Sequence, residues 1–120
     1  MFKRTQGIWV WGLSKRPESL NQPGIFTTTD GVLSEQPEEI TNPTMGDLQL
    51  MANAPAMNEL LWHTLDDLNH VTFLVPSEKI VGITEIYDNI GRLLAAINVA
   101  PPEGIPAEIV SEVKQFYTEV

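Results

Sequence analysis

The chain has no cysteine, so disulfides and thiolate chemistry are excluded and an intracellular setting is permitted. It has no apolar stretch near the roughly 20 residues of a membrane span. The apolar run in the opening MFKRTQGIWVW is too short and too interrupted for a secretory signal, so the expectation is a cytosolic protein without a membrane partner. Neither G-x-x-x-x-G-K-[ST] nor G-x-G-x-x-G occurs, which removes the common phosphate-cradling loops. No Ser-His-Asp order or paired-acid arrangement stands out among the scattered acids, so no catalytic role and no cofactor are assigned.

Positive charge is scarce and unevenly placed. The net charge is -9, yet residues 1–16 carry Lys3, Arg4, Lys15 and Arg16 with no acid. The remaining 104 residues hold Lys79, Arg92 and Lys114 against all sixteen acids, a local -13. Such a surface repels a long nucleic acid duplex, whereas a small phosphorylated ligand or a basic protein surface stays compatible with it. Hydrophobic content of 42% and charged content of 19% are ordinary for a folded chain, and 120 residues fit a single domain, 1–120.

Along the chain, Ile8 and Val10 alternate with Trp9 and Trp11 between Gly7 and Gly12, a period-two strand with both indoles on one face. Pro17, Pro23 and Gly24 mark a loop. Ile25 to Thr28 and Val32 to Ser34, flanking Asp30-Gly31, predict a hairpin. Residues 35–43 are polar with two prolines and read as a linker.

Thr44 offers an N-cap, with Asp47 three residues on in capping-box spacing. Leu48, Met51, Met57, Leu61, Leu65 and Leu68 then recur near the helical period. Pro55 predicts a kink or a split, with two short helices at an angle and one helix both open. NHVTFLVPS reads as a short strand or an extended connection. Ser77 is expected to cap a helix to Ile97 whose stripe is Ile80, Ile83, Tyr87, Ile90, Leu94 and Ile97. Pro106 opens a last helix with Ile109, Val113 and Phe116 on one face. The fold class expected is α+β: a small antiparallel sheet of about three strands over 1–43, and three or four helices over 44–120.

Thr5, Gly7 and Trp9, with Leu50, Ala52, Ala54 and Pro55 further on, resemble a widespread family of small phage and prophage proteins. Its members open on a Thr-x-Gly-x-Trp strand and continue into an Ala-Asn-Ala-x-Leu-Ile-Ala-Ala-Ala-Pro-x-Leu-Leu helix. IGRLLAAI is similar to that family's closing helix. Asp47, Met51, Asn53 and Asn58 depart from the helical motif. The resemblance implies a phage accessory protein acting in the cytoplasm of an infected bacterial host, and no activity.

The candidate ligand-binding residues are Trp9, Trp11, Lys15, Arg16 and Arg92. An indole stacks on a base while the cations meet phosphate oxygens. The other reading is that the strand face packs its tryptophans on the helices with the cations in solvent, and that Arg92 pairs with Asp88 or Glu85. His63 and Asp67 lie four apart, with Asp66 and His70 adjacent. These are residue types of a metal site, but the expectation is a capped, solvent-facing helix end and no metal is assigned.

Two functions follow. One is a phage counter-defence protein that sequesters, without catalysis, a small nucleotide immune signal of cyclic nucleotide or ADP-ribose type. It would be a homo-oligomer built through its helices, similar to anti-defence nucleotide-sponge proteins. The other is an acidic inhibitor, an anti-CRISPR or nucleic-acid mimic, that binds a host defence protein.

Overall fold

The computed structural model describes residues 1–28, 37–71 and 74–119. The fold is α+β: a three-stranded antiparallel sheet followed by three helices. Two compact units divide the chain, residues 1–53 and 54–120.

In the first unit β1 (Ile8–Leu13) pairs with β2 (Pro23–Thr28), placing Trp9 opposite Thr27 and Trp11 opposite Ile25. Alternating aromatic and branched residues suit a pleated strand, and Pro23 sits at the first residue of β2, where no ladder donor is lost from the strand interior. The expected Asp30-Gly31 turn and the Val32–Ser34 arm lie outside the described residues. The polar 35–43 stretch is not wholly a linker, because Glu38–Glu39 forms β3, paired with Phe26 and Thr27 of β2. Ile40 N–H donates to the Ile25 carbonyl at 2.8 Å and extends that pairing. Composition misled here: two glutamates adopt a strand because the β2 edge offers backbone partners and the Glu39 side chain finds its own.

That partner is the loop between β1 and β2. Ser14, 1% exposed, donates from its hydroxyl to Glu39 at 2.9 Å, and its backbone exchanges bonds with Gln22 and Asn21, both at 2.9 Å. A single 3-10 turn, Pro17–Ser19, with Pro17 at its start, completes the loop.

Helix α1 (Met45–Val71) runs through Pro55 as one element rather than two. Proline deprives only the Met51 carbonyl of its donor, while the flanking ladder persists on both sides. The capping box forms: Thr44 N–H donates to Asp47 at 2.9 Å and Asp47 N–H donates to the Thr44 hydroxyl at 3.1 Å. After α1, Leu74 N–H closes a turn on the Val71 carbonyl at 2.8 Å, so the described part of NHVTFLVPS is helix end and connection.

In the second unit α1 contributes Trp62 and Leu65, α2 (Ser77–Ile97) contributes Leu94 and Ala95, and α3 (Ala107–Gln115) contributes Ile109 and Val113 to one apolar core. Ser77 is the first helical residue of α2 and not its cap. Pro76 holds the cap position, and its ring has no acceptor with which to cap the first turn. Asn98, at φ 53°, ends α2 in the left-handed conformation. Of the α2 stripe Leu94 is buried, Ile83, Tyr87 and Ile90 are half-buried, and Ile80 and Ile97 are exposed; Gly91 lets the Phe116 ring lie against the helix, since a Cβ there would fall 2.6 Å from the ring. Tyr87 donates its hydroxyl to Glu112 and ties α2 to α3, and burial together with that carboxylate pushes its phenol up.

Candidate functional site

The basic N-terminal segment is held by three devices, each made of short-range chemistry. The Thr5 backbone N–H and hydroxyl both donate to the Asp47 carboxylate, which is fully buried. The Thr44 hydroxyl donates to the Lys3 carbonyl at 2.7 Å. Gly46 permits this close approach, for a Cβ there would stand 2.2 Å from that same carbonyl. The first turn of α1 thus serves as a clamp on residues 3–5, and Asp47 completes both the capping box and the clamp.

Burial raises the Asp47 pKa, but the bonds from Thr5 and then Thr44 outweigh it and hold the carboxyl at about 2, below its usual 3.8. A folded-state pKa below the unfolded one gives stability that is present above 3.8 and is lost as pH falls toward 2. Urea unfolding followed by tryptophan fluorescence should therefore show a midpoint that drops between pH 4 and pH 2. Asp47→Asn should have a lower midpoint at neutral pH and a shallower drop across that window. An equally steep drop in the variant would assign the acid transition to other carboxylates.

The five candidate ligand residues separate into different environments. Trp9 is half-buried, its indole N–H donating to the Thr5 carbonyl at 3.0 Å with the Arg4 guanidinium 5.8 Å from the ring centre. Arg4 also donates to the Thr5 and Gly7 carbonyls, at 2.8 and 3.3 Å. Arg16 is bridged to Glu18 at 3.1 Å and to Glu39 at 3.4 Å. Arg92 belongs to the helical unit, where its guanidinium stands 5.3 Å from the Phe116 ring centre. Trp11 is 77% exposed. It borders a shallow depression of about 380 Å³ with Val10, Leu13, Lys15, Phe26 and Pro37. Lys15 is exposed and forms no ion pair among the described residues.

The structure therefore brings Trp11 and Lys15 together and gives Trp9 and Arg16 internal partners. Chemically the depression offers an aromatic plane, an ammonium and a lining of mixed polarity. Those features suit a flat ring joined to an anionic group.

The acidic helix end is built differently. His70 Nδ1 lies 2.8 Å from the Asp66 carbonyl and 3.5 Å from its Oδ1, and among the described residues no three side chains of metal-ligating type converge. Also among them, no helix is long and apolar enough to cross a membrane.

Comparison with known protein families, with curated proteins and with solved structures finds no match. The residues of the Thr-x-Gly-x-Trp motif nonetheless have visible work: Thr5 binds Asp47, Gly7 takes a φ of 103°, and Trp9 folds back on Thr5. Sequence reasoning missed the reach of Asp47 to Thr5, 42 residues away, and the role of Glu39 as the acceptor for Ser14 and Arg16. An acid at capping-box spacing signalled the first half of the Asp47 role. No local signal marks the second.

Proposed function

We propose that this is a phage-encoded counter-defence protein that sequesters a small nucleotide immune signal of its bacterial host without catalysis, acting in the host cytoplasm as a homo-oligomer built through its helices. The observation that carries this reading is Trp11, 77% exposed on a strand beside Lys15 and a depression of about 380 Å³. An indole left in solvent is costly unless something covers it, and a purine ring is a suitable cover. Lys15 then meets the phosphate, as a compact cation on a flexible stem does. Both cyclic nucleotides and ADP-ribose derivatives present this combination.

Heating protein that has been exposed to cell extract and analysing the released small molecules by mass spectrometry should find a nucleotide. Trp11→Ala should abolish that recovery while leaving the unfolding free energy within about 0.5 kcal/mol, since the side chain is largely in solvent. Loss of several kcal/mol would make Trp11 a packing residue instead. The second reading, an acidic inhibitor of a host defence protein, is favoured by the charge of -13 on residues 17–120. Recovery of a host protein with no released nucleotide decides for it.

A further inference from the structure

Strand β1 lies at the edge of its sheet, and the register shows which of its backbone groups are left over. The Ile25 carbonyl accepts from the Ile40 N–H at 2.8 Å, so Ile25 and Thr27 turn their backbone groups toward β3. Backbone groups alternate sides along a strand, which leaves Gly24, Phe26 and Thr28 to bond Gly12, Val10 and Ile8. Ser14 keeps the same phase, its N–H donating to the Gln22 carbonyl at 2.9 Å. The N–H and C=O of Trp9, Trp11 and Leu13 therefore point away from the sheet, and among the described residues no backbone group pairs with them.

A free edge is usually blunted by a lysine, a proline or a bulge. The strand IWVWGL has none of these: it carries no charge and no proline, and its register with β2 runs unbroken from Ile8 to Leu13. Ile8, Val10, Trp11 and Leu13 are also exposed. Cations stand instead at the two ends of this edge. The outward carbonyl before Trp9, that of Gly7, accepts from the Arg4 guanidinium at 3.3 Å, and Lys15 follows Leu13 by two residues.

We propose that the outer edge of β1 takes up an extended, acidic segment of a partner protein as a further strand. The main chain of that segment bonds Trp9, Trp11 and Leu13, and its carboxylates meet Arg4 and Lys15. Added strands derive affinity from main-chain bonds and selectivity from the side chains beside them. Trp9 to Leu13 spans about 13 Å at the usual strand rise, room for about five residues of the partner. Charge selects an acidic segment over a second copy of this chain. Pairing β1 with β1 brings Arg4 and Lys15 beside the same cations in either direction. The acidic β3 of another copy is only two residues long, and its Glu39 is already engaged by Ser14 and Arg16. The inference goes beyond both functional readings, since it uses the β1 main chain rather than the Trp11 indole or the acids of residues 17–120.

Fluorescence anisotropy on the full chain tests this with a fluorescein-labelled synthetic peptide of alternating valine and threonine, glutamates at both ends. Saturable binding is expected, with lysines in place of the glutamates weakening it about tenfold or more. N-methylation of alternate peptide amides removes main-chain donors while keeping every charge, and it should abolish binding. Trp11→Pro and Leu13→Pro each delete an outward donor that the ladder does not use, so the sheet should survive while peptide affinity falls about tenfold. Trp11→Val keeps the donor and should bind like the wild type. Absence of binding overturns the proposal, as do equal affinity for the lysine peptide and full affinity in a folded proline variant. Loss of binding in Trp11→Val overturns it by making the indole the site. Self-association that Trp11→Pro abolishes overturns it by making a second copy the occupant. If both proline variants unfold, the N-methylated peptide decides alone. Nucleotide release without peptide binding sinks this inference and leaves the ligand reading standing; peptide binding without nucleotide release does the reverse.

Discussion

Gly7→Ala is expected to destabilise the sheet unit by about 3 kcal/mol or more, the larger part of what a small domain has to lose. Two independent causes act at this one position. Gly7 has φ of 103°, a region that L side chains reach only with strain of about 1–3 kcal/mol. A Cβ there would also stand 2.0 Å from the Thr28 carbonyl oxygen and 2.5 Å from the Thr27 hydroxyl. Both atoms are fixed: Thr28 pairs with Ile8 in the ladder, and the Thr27 hydroxyl donates to the Gln6 carbonyl at 2.7 Å. Relief requires the first residues of β1 to leave β2, which also pulls Thr5 from Asp47. Urea unfolding monitored by tryptophan fluorescence should show the midpoint fall sharply. Gly82→Ala is the control, since nothing lies within 4 Å of a Cβ at that helical position. Equal midpoints for the two variants would refute the backbone argument.

What was legible in the sequence follows the range of the interaction concerned. The strand at Ile8–Leu13, the helices at Met45–Val71 and Ser77–Ile97 and the final Ala107–Gln115 all announce themselves by period. The Thr44–Asp47 box was legible because it lies within one helical turn. Beyond that distance the reading failed in specific ways. Glu38–Glu39 is a strand because of β2, not because of its own residues, and Ser77 loses the cap to a proline one residue earlier. At Pro55, where one helix and two were both open, α1 is a single element, since a proline interrupts a single bond and the decision lies with everything else α1 holds.

Of the five candidate ligand residues, charge and aromaticity alone could not tell Trp9 from Trp11 or Lys15 from Arg16. One of each has an internal partner, Thr5 for Trp9 and Glu39 for Arg16, and the other of each faces solvent. Trp9 and Trp11 share β1 while Lys15 and Arg16 lie in the loop that follows it, and in each pair a partner distant in sequence or fixed by tertiary pairing decides which side chain is held.

Leu65→Ala should cost about 2–5 kcal/mol, the second large effect, and here the helical unit is the one affected. Leu65 is wholly buried and packs in the cluster that Trp62, Leu94, Ile109 and Val113 complete, so three helices lose a shared contact at once. Truncation removes the transfer free energy of the side chain and leaves a void whose lining comes from α1, α2 and α3 together, which limits collapse. Leu60, five residues earlier on α1, is 67% exposed, and Leu60→Ala should leave stability within about 0.5 kcal/mol. Similar propensities for helix make the pair a clean contrast, because leucine-to-alanine changes the helix term slightly and in the same direction at both sites. Trp62, 3% exposed and within the same cluster, supplies a fluorescence signal for the unit. If the two variants unfold together, the α1 face carrying Leu61, Trp62 and Leu65 is not the one that anchors α2 and α3.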